Sequence, residues 1–170
     1  MASYGGAQLK DEYYMPFQDA TAKNHKEERR YNYRLIRYWN ELRGDRLFPS
    51  ENEIDPEELG EEIWRNCYVI QVRDIEMVED YNYTYLGEAI NEAYQCGMLD
   101  AHNTHIISPN ARQLAHGFNQ VIESKKPLIQ NSSFQAADGH TVHYRQSMLP
   151  IGNSDDKVEA ILGGMFFRKK

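Results

Sequence analysis

Residues 81–86 read Tyr-Asn-Tyr-Thr-Tyr-Leu, aromatic and polar positions in strict alternation up to Gly87. Period two predicts a strand with Tyr81, Tyr83 and Tyr85 on one face. Upstream the period changes. Tyr31, Leu35, Tyr38 and Leu42 fall at i, i+4, i+7 and i+11 with Trp39 beside them, which predicts an amphipathic helix from His25 to Leu42, closed at Gly44. That stripe holds more apolar surface than a free helix keeps. The helix is therefore expected to pack on the domain or on a second copy, with Tyr31, Leu35, Tyr38, Trp39 and Leu42 as interface candidates.

Asp55, Pro56 and Glu58 read as cap, first helical position and capping-box partner, with Ile54 and Leu59 placed to staple across the cap. This helix is short and ends near Trp64. Cys67 to Val72 is β-branched and aromatic and predicts a strand, joined to Tyr81–Leu86 by an acidic turn at 76–80. Helical turns at Glu88–Gln95 and a loop over 97–107 come next. Ser108-Pro109 then opens the most amphipathic helix, striped by Ala111, Leu114, Ala115, Phe118, Val121 and Ile122 and ended by Lys125-Lys126-Pro127. Strands over 128–136, 140–149 and 158–167 complete the chain. Asp138-Gly139 signals a tight hairpin between the first two, and the polar run 152–156 links the last two. The order implies an α+β domain: a five-stranded antiparallel sheet with helices on one face, preceded by an N-terminal helical extension. Residues 1–24 show no period and read as a flexible tail; residues 25–170 read as one domain.

Composition narrows the function classes. With 41% hydrophobic and 26% charged residues, 170 residues suffice for one self-supporting core. Twelve tyrosines favour half-buried aromatic positions. A net charge of −7 argues against binding held mainly by nucleic-acid phosphates. Cys67 and Cys96 form no disulfide framework or thiolate metal spacing. Residues 1–18 lack the pattern of a secretory signal, and apolar runs fall far short of a membrane span. The expectation is a soluble cytoplasmic protein. Charge is segregated: residues 23–46 hold eight basic against four acidic residues, and residues 51–80 hold eleven acids against two arginines. Such asymmetry either solvates two faces or steers a partner.

Ile36-Arg37-Tyr38-Trp39-Asn40-Glu41-Leu42-Arg43-Gly44, then Phe48-Pro49-Ser50 and Ile54-Asp55-Pro56, resembles the opening of a family of small, stand-alone PAS-like proteins of alphaproteobacteria. The similarity continues through Tyr81–Gly87, Tyr144-Arg145, Leu149-Pro150 and Ile161-Leu162-Gly163-Gly164, covering roughly residues 30–167. The resemblance implies a PAS fold, a sensory or interaction module whose sheet and helices can enclose a small cavity. It implies neither a reaction nor a particular ligand or cofactor.

Candidate chemistry follows from the residues. Tyr83, Tyr85, Phe134, Tyr144 and Met148 on the sheet could face Leu114 and Phe118 on the long helix, with tyrosine hydroxyls, His143 and Arg145 as polar groups of a ligand pocket. The same residues could equally fill a core. His140 and His143 lie three apart, which on a strand sends them to opposite faces and is poor spacing for a shared metal. Asn66-Cys67-Tyr68-Val69-Ile70-Gln71 superficially resembles the cysteine motif of flavin-binding light sensors, but here the cysteine opens a strand rather than sitting on a helix. His116 could serve as a haem axial ligand, though its place on the long helix reads as a polar flank. No Ser, His or Asp sits in a nucleophile elbow or paired catalytic motif. A non-catalytic sensory module acting through protein contact and gated by a small molecule is the expected function. A cavity-bearing enzyme of ketosteroid-isomerase-like shape and a ligand-free scaffold are the competing readings. Nucleic-acid contact through Arg29, Arg30, Arg34 and Arg37 is a minor alternative.

Overall fold

The computed structural model describes residues 26–72, 82–94, 111–136, 139–153 and 156–168. The expected tail 1–24, the turn 76–80, Tyr81, the 97–107 loop and the Ser108-Pro109 helix start lie outside the described residues.

Helix α1 (Lys26–Arg43) follows the period-3.6 stripe and stops at Gly44, whose φ of +57° glycine adopts without a Cβ penalty. The short helix expected after Asp55 is two turns, α2 (Pro56–Leu59) and α3 (Glu61–Trp64), broken by Gly60 at φ +94°. Asp55 caps α2 by accepting the Glu57 N–H at 2.9 Å. Glu58 does not complete a capping box; the Tyr38 hydroxyl accepts the Asp55 N–H at 2.7 Å and donates to the Asp55 carbonyl at 3.4 Å. Reciprocal capping occurs one turn earlier, at the 3-10 turn Glu51–Glu53, where the Ser50 N–H donates to Glu53 Oε1 at 2.9 Å.

Five strands follow the predicted positions closely: β1 (Cys67–Gln71), β2 (Asn82–Leu86), β3 (Leu128–Gln135), β4 (Thr141–Ile151) and β5 (Ala160–Phe167). Helices α4 (Glu88–Ala93) and α5 (Ala111–Ser124) lie between β2 and β3. The sheet order is β2-β1-β5-β4-β3, with every neighbouring pair antiparallel. The β3–β4 turn is tight: Gly139, at φ +91°, donates its N–H to the Ala136 carbonyl at 2.9 Å.

Alternation along β4 divides the molecule. Tyr144, Gln146 and Met148 point toward α5, where a Cβ on Gly117 would come within 2.7 Å of Met148 Sδ. Arg145 and Ser147 point the other way, and the Ser147 hydroxyl donates to Asn32 Oδ1 of α1. Gly164, paired with Ser147, likewise lies under α1, since a Cβ there would come within 2.5 Å of Leu35. Helix α5 thus covers one face, and the N-terminal extension crosses the opposite one. Leu35, Ile36 and Trp39 are at most 1% exposed, and Trp39 Nε1 donates to the Pro150 carbonyl at 2.8 Å. Burying each such side chain is worth about 1.5–3 kcal/mol, so α1 belongs to the core of its own domain.

The shared face expected of Tyr83 and Tyr85 does not occur. Tyr85 pairs with Val69 and Tyr83 with Ile70, because a bulge leaves Thr84 without a partner in the β1–β2 ladder. Val69 and Ile70 are consecutive on β1 and point to opposite faces, so their partners do as well.

Candidate ligand-binding site

The α5 side of the sheet gathers Tyr68, Tyr83, Phe134, Tyr144, Gln146 and Met148 beneath Leu114 and Phe118. Tyr68 meets Tyr83 edge-on at 5.7 Å and Phe118 at 6.1 Å. Tyr94, just after α4, stacks on Phe134 at 4.2 Å, and Phe134 leans on Tyr144 at 6.1 Å. Tyr68 lies directly over Gly163, where a Cβ would fall 1.9 Å from the ring. Only a residue without a side chain lets that ring settle onto β5.

The polar centre of this face is Gln146. Its side chain is fully buried, its Oε1 accepts the Tyr68 hydroxyl at 3.1 Å, and its Nε2 has no hydrogen-bond partner among the described residues. A buried amide donor left unpaired costs about 1–3 kcal/mol. Gln130 sits opposite Gln146 in the β3–β4 register and is half-buried. Burial, reinforced by the neighbouring tyrosines, pushes the Tyr68 and Tyr83 hydroxyls well above the ordinary phenol value. They are neutral donors at any physiological pH.

Three of the residues named from sequence as pocket candidates lie elsewhere. Tyr85 stacks on Trp64 at 4.1 Å and donates its hydroxyl to the Trp64 carbonyl at 2.9 Å, on the α1 side. Burial pushes its pKa up to about 12. Arg145 is buried on the α1 side with Ser147, and His143 on that side is exposed. Tyr83, Leu114, Phe118, Phe134, Tyr144 and Met148 are brought together. Tyr68, Tyr94 and Gln146 were missed. For Gln146 the available signal was a polar triplet, Arg145-Gln146-Ser147, in mid-strand before an apolar run.

Other candidates are placed as follows. Cys67 is buried on the α1 side, its Sγ 3.3 Å from the Ile63 carbonyl, and burial raises its thiol far from reactivity. His116 is exposed on α5 and His140 is exposed before β4. Among the described residues no group of three or more His, Cys, Asp or Glu could hold a metal, and no helix is long and apolar enough to cross a membrane. The segregated charges meet in part: Arg34 of α1 pairs with Glu62 of α3 at 2.7 Å, while Arg37 pairs within α1 with Glu41 at 3.0 Å. An open groove of about 1000 Å³ runs between α1, α3, α4 and the end of β5. Within it Arg65 pairs with Glu92 at 3.4 Å, and Arg168 lies 3.9 Å from Glu28.

A profile of the PAS domain matches residues 28–166, from the start of α1 to the end of β5. The chain belongs to the PAS domain family. This PAS domain is also similar to solved structures, all at low identity. The Rhodobacter sphaeroides LOV protein aligns over 67% of this chain and 68% of its own, at 10% identity and TM-score 0.43. An RNA-binding light-oxygen-voltage receptor aligns over 70% and 35%, at 15% identity and TM-score 0.46. The PAS domain of a protein from Colwellia psychrerythraea aligns over 59% and 83%, at 11% identity and TM-score 0.42. The chain spans little more than half, 57%, of the RsLOV d2 variant. No curated protein matches significantly. The PAS family match and the five-stranded sheet together give the coarse function, a sensory type of domain.

Proposed function

We propose that this PAS domain is a non-catalytic sensory module that binds a small molecule on the α5 side of its sheet and reports occupancy to a protein partner through α1. The observation that carries this reading is the two-sided use of β4. Consecutive residues 146 and 147 carry buried polar groups to opposite faces, one into the aromatic interior and the other to Asn32 of α1. A shift of β4 at Gln146 therefore moves the seat of α1 directly. A ligand changes that seat only as far as it binds the two arrangements unequally.

The interface residues named from sequence are divided by this docking. Leu35 and Trp39 are committed to the core, whereas Tyr31, Tyr38 and Leu42 remain half-buried at its margin. The partner, another protein or a second copy, would engage that margin and the outward Arg30–Arg34–Arg37 stripe of α1, in a soluble, cytoplasmic protein of the alphaproteobacterial type. Binding rather than acid–base catalysis is supported by the α5-side face of the five strands. Its described residues include no Asp, Glu, Lys, Arg or His.

Native mass spectrometry of the freshly purified full chain tests the receptor half of this reading. The expected result is a small-molecule adduct that is lost on denaturation and weakened by Phe118→Trp, which puts a larger ring against Tyr68. A bare protein mass in both would overturn it.

A further inference from the structure

We infer that the groove at the end of β5 takes an extended, basic peptide segment of a partner protein, which adds as a short strand to an open edge of β5. The edge comes from a difference in strand length. The β1–β5 ladder stops at the Cys67–Gly164 pair, and the Met165 N–H closes on the Asn66 carbonyl, where the neighbouring chain is still leaving α3. β5 continues to Phe167. On the β4 side the Arg168 N–H bonds the His143 carbonyl, so by alternation the Phe167 N–H and C=O point to the β1 side, beyond the last β1 pair. Among the described residues neither group has a hydrogen-bond partner. An unpaired edge of this kind is a template for a further strand.

The groove of about 1000 Å³ lies against this edge, and Phe167 lines it. Its rims select the side chains. Glu27, Glu28, Glu61, Glu62 and Glu92 stand against two lining cations, Arg65 and Arg168, with Arg34 answering Glu62 from outside. The surplus is negative and attracts a basic occupant. The two arginines exclude a simple cation. Their Nε atoms are shielded from solvent and have no hydrogen-bond partner among the described residues, and their ion pairs are long, 3.4 Å to Glu92 and 3.9 Å to Glu28. They call for acceptors, which peptide carbonyls supply and a polyamine lacks. The occupant is another protein, because residues 1–24 carry two basic against three acidic residues and the basic stripe of α1 is helical. The groove shares no residue with the aromatic face beneath α5, so docking here does not depend on a ligand there.

Four probes are titrated into the full chain and followed by protein-detected NMR: the acetylated, amidated peptide KVRVKVR; EVEVEVE with the same ends; KVRVKVR methylated at every backbone nitrogen; and spermine. KVRVKVR is expected to shift the amides of residues 27–31, 61–66 and 166–168 and to bind at least tenfold tighter than each of the others. Glu27→Lys/Glu61→Lys, at two exposed positions, is expected to weaken it at least tenfold with the fold unchanged. Equal binding of the methylated peptide or of spermine would mean a cation site without strand addition and overturn the proposal. Tighter binding of EVEVEVE, shifts centred elsewhere, or no binding at all would overturn it as well. So would movement of the same amides when the protein alone is diluted, because a second copy would then occupy the groove.

Discussion

At the residue scale, two close approaches fix the centre of the sheet. Gly163 admits the Tyr68 ring from the α5 side, and Gly164 admits Leu35 from the α1 side. Gly163→Ala would press a methyl group into that ring, and overpacking of this kind costs about 1–3 kcal/mol. A matching loss of unfolding free energy in urea is expected; an unchanged midpoint would mean the ring is not seated on β5. The Asn32–Ser147 pair behaves differently. Ser147→Ala leaves a buried amide without its partner and should cost about 1–3 kcal/mol, whereas Asn32→Leu/Ser147→Ala should recover most of it. A double-mutant cycle by chemical denaturation measures the difference. Little of this was legible in advance. The pattern identified Tyr83, Phe118, Tyr144 and Met148 as inward residues. It said nothing of Gln146 or Ser147, because a polar residue in mid-strand reads as solvent-facing until both faces are known to be covered.

At the element scale, α1 and α5 were legible from their apolar stripes, and the strands from short β-rich runs bounded by turn signals. The β2 bulge was not. It is decided by how β1 pairs with β2, so it reverses Tyr85 without any mark in the strand's own alternation. The side on which α1 docks had an indirect signal: Ala160–Phe167 has no polar position, as expected of a strand buried on both faces. Trp39→Ala removes a buried indole and its bond to the Pro150 carbonyl, and should destabilise the whole domain by about 3–5 kcal/mol. If thermal melting were unaffected, α1 would not belong to the core. The clamp after α1 gives a pH signature. Arg46 foremost, then the Ser50 N–H, lowers Glu53 from 4.5 to about 2. Folding favours the ionised carboxylate, so this contribution is complete above about pH 4.5 and is lost as pH falls toward 2. Glu53→Gln should flatten stability over that window and leave the slope above pH 5 unchanged, as read by denaturation at each pH.

At the scale of the whole molecule, helices cover both faces of the sheet, and the proposed function assigns binding to one face and reporting to the other. The fold class was readable from the order of elements, and the family membership agrees with it. The charge segregation that could have steered a partner is in part internal, with Arg34 paired to Glu62 across α1 and α3. What sequence could not supply was the link between the faces, because it lies in adjacent residues of one strand whose partners are more than seventy positions away. That link is tested most directly by hydrogen exchange of residues 31–43, in protein carrying its co-purified small molecule and after the molecule has been removed. The account predicts that emptying the α5-side interior changes amide protection along α1 by at least severalfold. Altered protection in α5 and β4 with α1 unchanged would contradict it.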